Sequence, residues 1–101
     1  MEAVFFLNRF RQGADQDAYE KWVKDVDYPT CKKHFKSIIS YTAFKVKEDS
    51  KKDSPYEYIE HLDLTSKQDY EKDMQKPEAK RLMEEWSRYI ESAIIIYTDP
   101  I

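Results

Sequence analysis

The chain has almost no glycine. Gly13 is the single one among 101 residues, so no glycine-rich loop exists to cradle a nucleotide's phosphates, and both the P-loop and the dinucleotide-binding fingerprint are excluded. Cysteine is equally scarce. Cys31 alone forbids an internal disulfide, and with only His34 and His61 beside it there is no Cys/His zinc set. Long apolar runs are missing too, since the longest, Ala93 to Tyr97, is a quarter of a membrane span. The start, Met1-Glu2-Ala3-Val4-Phe5-Phe6-Leu7, lacks the basic region and the length of an export signal. With the free thiol this leads us to expect a cytoplasmic protein. Positive charge is not in excess, and a net charge of −3 speaks against a protein that holds nucleic acid by bulk electrostatics. No metal is expected. What the chain has in quantity is rings: 8 Tyr, 5 Phe and 2 Trp, 15% of the residues, beside 37% charged ones.

Residues 1–101 have the length of one domain. Ala3 to Phe10, β-branched and aromatic, reads as a first strand. Gln12-Gly13-Ala14 breaks it, and Asp15 caps a helix whose apolar stripe is Tyr19, Trp22, Val23 and Val26. Pro29 stops that helix or begins a short new turn. Ser37 to Lys47 is a second strand, Glu48 to Pro55 a charged loop, and Tyr56 to Leu64 a third strand. Thr65 to Gln68 has the capping-box spacing and opens a short helix carrying Tyr70 and Met74. Pro77 suits the first turn of the next helix, on which Ala79, Leu82, Met83, Trp86, Ile90 and Ala93 share a face. Ile94 to Thr98 closes the chain as a fourth strand. The order is βαββαβ, which predicts an α+β, ferredoxin-like fold with a four-stranded antiparallel sheet and helices on one face.

The strands are apolar on both sides, which two helices cannot cover. Val4, Phe6 and Phe10 oppose Phe5 and Leu7; Ile38, Phe44 and Val46 oppose Ile39, Tyr41 and Ala43; Ile94 and Ile96 oppose Ile95 and Tyr97. A bare apolar sheet face exceeds the few hundred Å² tolerated on a soluble monomer. The economical answer is a homodimer, two sheets packed face to face into a shared α+β barrel. A monomer with a sticky face, or docking to a different protein, is the alternative.

The third strand carries the most chemistry. Tyr56, Tyr58, Glu60, Leu62 and Leu64 share a face by period two, so Glu60 is a carboxylate among rings and aliphatics. Burial there raises its pKa, the condition for a general acid or base near neutrality. Asn8 interrupts the first strand's face in the same way, and the two strands are neighbours in this topology. The bland alternative is a satisfied buried hydrogen-bond partner. His61 points to the opposite face and reads as a surface or dimer-contact residue. Asp25-Val26-Asp27-Tyr28-Pro29-Thr30-Cys31 is the second constellation. Acids are locally unfavourable at a helix C-terminus, which singles out Asp27. Tyr28 offers a donor or a stacking ring. Cys31 would need a depressed pKa and a paired base to act as a nucleophile, with His34 three residues on; as a small buried filler it needs neither. Trp22 and Trp86 lie in apolar helical stripes, as core or as cavity wall.

The run Trp22-Val23-Lys24-Asp25-Val26-Asp27-Tyr28-Pro29-Thr30-Cys31, then Tyr58-Ile59-Glu60 before Tyr70-Glu71-Lys72-Asp73-Met74, resembles the RedY-like family. The likeness spans about two thirds of the chain, Tyr19 to Val46 and Tyr58 to Met83. It departs at Phe35-Lys36-Ser37, where the family pattern has Leu-Pro-Ser, and in the basic loop before Tyr56. The resemblance implies a small dimeric α+β barrel protein of prodiginine-type pigment or bisindole biosynthesis, acting without a cofactor on an aromatic intermediate. Asp27 and Glu60 fall inside the matching motifs. The expected function is therefore a cofactor-independent proton-transfer step, such as cyclisation, dehydration or hydration, on a small aromatic or heteroaromatic ligand. Glu60 and Asp27 are the acid/base pair, and Asn8, Tyr28, Trp22, Tyr58, Cys31 and Trp86 the ligand-binding residues. A carrier that shields a hydrophobic intermediate and a cofactor-free monooxygenase stay open as alternatives.

Overall fold

The computed structural model describes residues 1–101. Four strands, β1 (Glu2–Phe10), β2 (Ile38–Lys45), β3 (Tyr58–Leu64) and β4 (Ile90–Thr98), form one antiparallel sheet in the order β2-β3-β1-β4. Helices α1 (Gln16–Trp22), α2 (Tyr28–His34), α3 (Lys67–Asp73) and α4 (Pro77–Trp86) supply the buried residues that pack on the sheet's inner face. This is the ferredoxin-like α+β architecture that the strand and helix order predicts. No helix is long and apolar enough to cross a membrane.

Local chemistry sets most boundaries. Gly13 turns the chain after β1 at φ 85°, a conformation that costs glycine nothing. The Asp15 side chain accepts from Ala18 N at 3.1 Å and caps α1. The cap of α3 is Ser66, one residue beyond the expected Thr65: its hydroxyl accepts from Asp69 N at 3.0 Å, while Thr65 donates to the Asp69 carboxylate instead. Pro77 stands in the first turn of α4 as its fixed φ favours. The 48–53 segment is a 3₁₀ turn rather than an open loop. Helix α4 ends at Trp86, so Ile90 and Ala93 belong to β4 and not to a helical stripe; Ile90 pairs with Phe10, and strand pairing wins over the helical spacing.

Two departures shape the site. Pro29 does not stop the first helix. A π-turn, Val23–Asp27, joins α1 to α2, with Tyr28 N–H bonded five residues back to Val23 O. Proline is tolerated because it falls in the first turn of α2, where no N–H partner is lost. The inserted residue rotates the buried stripe from Val26 to Asp27, so it runs Tyr19, Trp22, Val23, Asp27, Cys31, Phe35. Asp27 is thus mid-helix, and the helix-terminus argument for it does not apply. The second departure is a bulge in β2 between Ile38 and Ser40, which puts Ile38 on the inner face with Tyr41 and Ala43 and leaves Phe44 outside.

The core has two halves. One is built on Tyr19, Trp22, Phe35, Tyr58, Leu82 and Ile90, the other on Val4, Phe6, Leu62, Leu64 and Tyr70. Ile38, Tyr41, Met74 and Trp86 touch both and form the seam. Leu64 is fully buried. Leu64→Ala is expected to cost about 2–5 kcal/mol, read as a lowered urea midpoint with an unchanged slope.

Candidate functional site

Four elements meet at Glu60 in the seam. From the centre of β3 its carboxylate faces the helices, 6% exposed. Phe6↔Glu60 and Asn8↔Tyr58 are paired registers, which sets Asn8 diagonally beside it. Asn8 Nδ2 donates to Glu60 Oε2 at 2.5 Å, and Trp86 Nε1 from α4 donates to the same oxygen at 3.2 Å. Tyr41 from β2 brings its hydroxyl within 2.7 Å of Glu60 Oε1 and within 2.6 Å of Asp27 Oδ2. Cys31 Sγ, one turn after Asp27, lies 3.6 Å from Asp27 Oδ1.

The electrostatics follow from burial. Desolvation raises the Glu60 pKa, against three hydrogen bonds that lower it. Asp27 is pushed up to about 7, first by burial and then by Glu60, with the Tyr41 and Cys31 bonds opposing. Two carboxylates that share one hydroxyl oxygen repel by about 3 kcal/mol at an effective dielectric constant of about 20. No lysine, arginine or histidine lines the cavity to offset them. Burial and Asp27 also push the Cys31 thiol upward, so it stays protonated and is no nucleophile. His34 is not its base: that ring faces Glu78, with Nδ1 3.8 Å from Oε1.

The cavity beside these groups is narrow, about 50 Å³, and 13 of its 15 lining residues are hydrophobic. Of the residues expected at the site, Glu60, Asp27, Trp22, Cys31 and Trp86 line it. Trp22 is pinned by its Nε1, which donates to Glu85 at 2.9 Å. Asn8 stands behind Glu60, fully buried. Tyr28 and Tyr58 are turned elsewhere, into a neighbouring groove. The Tyr28 hydroxyl accepts from Ala43 N at 2.8 Å, and Tyr58 donates to Glu20 at 2.8 Å. Tyr41 is the site residue that the sequence pattern hides: period two groups it with Ile39 and Ala43 on an apolar face. Its signal was a phenol on the neighbour strand opposite the Glu60 face, legible only once the β2 bulge sets the register. No group of three or more His, Cys, Asp or Glu gathers as a metal site.

Fold and site together define a ferredoxin-like α+β protein with two carboxyl groups buried in an aromatic-walled cavity between sheet and helices. The family model described as REDY-like protein HapK matches residues 2–101, and the chain belongs to that family. Among solved structures it is similar to HapK from Hahella chejuensis, at 24% identity and TM-score 0.87, covering 100% of this chain and 93% of that one. An Arabidopsis thaliana protein is similar at 14% identity and TM-score 0.83, covering 100% and 96%. A dimeric ferredoxin-like protein of unknown function from Thermobifida fusca is similar at 10% and 0.76, covering 98% and 90%. Among curated proteins none matches the sequence.

The raised Asp27 pKa has a stability consequence. The folded chain holds that proton more tightly than the unfolded one, whose aspartates titrate near pH 4. Between about pH 4 and 7 the native state therefore binds more protons, and stability falls as pH rises through that window. The urea midpoint is expected to be lower at pH 8 than at pH 5.5, and Asp27→Asn to flatten most of the difference.

Proposed function

We propose that this protein binds an uncharged aromatic or heteroaromatic biosynthetic intermediate in the seam cavity and assists a cofactor-independent proton transfer, such as cyclisation, dehydration or hydration. The observation that carries this reading is the pair Asp27 and Glu60, joined through one hydroxyl in a cavity of rings without a cation. A water-poor wall strengthens every interaction inside it and keeps the proton traffic between protein and ligand. General acid/base groups of this kind contribute about 10²–10⁴-fold to rate. The resemblance to RedY-like proteins of pigment pathways points to the same substrate class. Comparing metabolites of cells with and without the gene is the test. Loss of the gene is expected to accumulate an aromatic precursor that the purified protein consumes, and Glu60→Gln to slow that consumption by about 100-fold or more. A precursor that binds stoichiometrically and leaves unchanged would instead make the protein a carrier.

The working unit in this reading is a homodimer. On the outer sheet face, Phe44, Ile59, Leu7 and Ile94 line up across all four strands, and His61, Phe5 and Ile96 continue the next row. Phe44 and Ile94 are half exposed, and the Phe5 and His61 rings stack at 4.6 Å. A second copy of the same flat face supplies the cover that the chain's own helices, all committed to the inner side, do not. Sedimentation at micromolar concentration is expected to give a dimer, and Ile94→Asp a folded monomer.

A further inference from the structure

We propose that Tyr41 is a proton relay between two carboxyl groups of unequal charge, with Asp27 the acid that carries the proton and Glu60 the ionised base. The count of hydrogens leads there. Tyr41 has one hydroxyl hydrogen, and its oxygen is within hydrogen-bond distance of both Asp27 Oδ2 and Glu60 Oε1. It donates to one and accepts from the other, so one carboxyl group supplies a hydrogen of its own. Glu60 Oε2 accepts from the Trp86 indole, which only donates, and from the Asn8 amide. Asn8 Oδ1 is left buried without a partner, so the amide is spent on Glu60.

The negative charge belongs where the donors are. Glu60 receives three, from Asn8, Trp86 and Tyr41. Asp27 has, besides Tyr41, only the weak thiol donor of Cys31. Asp27 Oδ2 therefore donates to the Tyr41 oxygen, and Tyr41 donates to Glu60 Oε1. The other titratable groups lining the cavity, Cys31 and Tyr70, both have raised pKa values and stay neutral, adding no counter-charge.

The use of this arrangement rests on the acid–base reading of the cavity. Glu60 takes a hydrogen as a proton from the ligand, and Asp27 delivers its own proton to a leaving hydroxyl, which departs as water. The ligand has then lost H and OH, Glu60 has gained one proton, and Asp27 has lost one. Glu60 returns it through Tyr41: its new O–H donates to the phenol oxygen as the phenol hydrogen passes to Asp27. The dyad is restored with no exchange with solvent. The ligand class is a neutral ring compound that bears an acidic hydrogen near a hydroxyl.

The test needs no ligand. In the full chain, with Asp and Glu labelled with ¹³C at their carboxyl carbons, the pH titration of each group is followed by NMR. Glu60 is expected to lose its proton at a lower pH than Asp27, leaving a range in which Asp27 is protonated and Glu60 ionised. Finding no such range, or Glu60 as the proton carrier, overturns the relay. In Glu60→Gln the Asp27 midpoint is expected to fall by about one pH unit or more, a tenfold loss of proton affinity; an unmoved midpoint overturns it. In Tyr41→Phe the Glu60 midpoint is expected to rise, because its charged form loses a donor; an unmoved one denies the bridge. A failed titration leaves the cavity's ligand reading standing, whereas a cavity that takes up no ring compound leaves the proton count intact.

Discussion

A carboxylate inside the protein is the constraint from which the rest of this structure follows. Leaving Glu60 charged and unpaired between two aromatic core halves would cost several kcal/mol. The chain meets that cost with polar groups from three other elements: Asn8 from β1, Tyr41 from β2 and Trp86 from α4. Each is drawn into the seam by a separate piece of backbone geometry, so the seam exists only when the whole domain is folded. It is also why the cavity is there. Side chains that must aim at one carboxylate do not close-pack against each other, and the gap they leave is walled by the residues that surround them.

The second carboxyl group depends on one inserted residue. In an uninterrupted α-helix the stripe set by Tyr19, Trp22 and Val23 would centre on Val26 and leave Asp27 at its edge. The π-turn moves the stripe by one position and brings Asp27 to Tyr41. A helix that accepts poorer hydrogen-bond geometry to bury an acid gives up some of its own stability to do so. The Cys31 thiol, one turn on, has become part of that acid's surroundings rather than a reactive group of its own.

The two sides of the sheet divide the labour. The inner face holds the cavity and its proton network. The outer face holds rows of aliphatic and aromatic side chains that no element of this chain covers. The chain by itself leaves Phe44, Ile94 and Ile96, all on that outer face, about half exposed. A shared outer face would let one small chain commit its helices entirely to the site.

Much of this was legible in the residues. Period-two alternation on β3 put Glu60 among Tyr58, Leu62 and Leu64, and the βαββαβ order made β1 and β3 neighbours, so the meeting of Asn8 with Glu60 followed from pattern and topology. The local argument for Asp27, a helix end, fails in the folded chain, where the helix runs on through Asp27. Tyr28 and Tyr58 have the right chemistry but bond to Ala43 and Glu20 instead. Tyr41 went unnoticed because its partners lie on other elements, 14 and 19 residues away. The residues specify local things: which segments are strand or helix, most of the apolar faces, and which acid sits among rings. Which donors reach that acid depends on contacts between elements far apart in the chain. A one-residue π-turn and a one-residue bulge change the direction of every side chain after them, and their cost is repaid only by contacts distant in the chain.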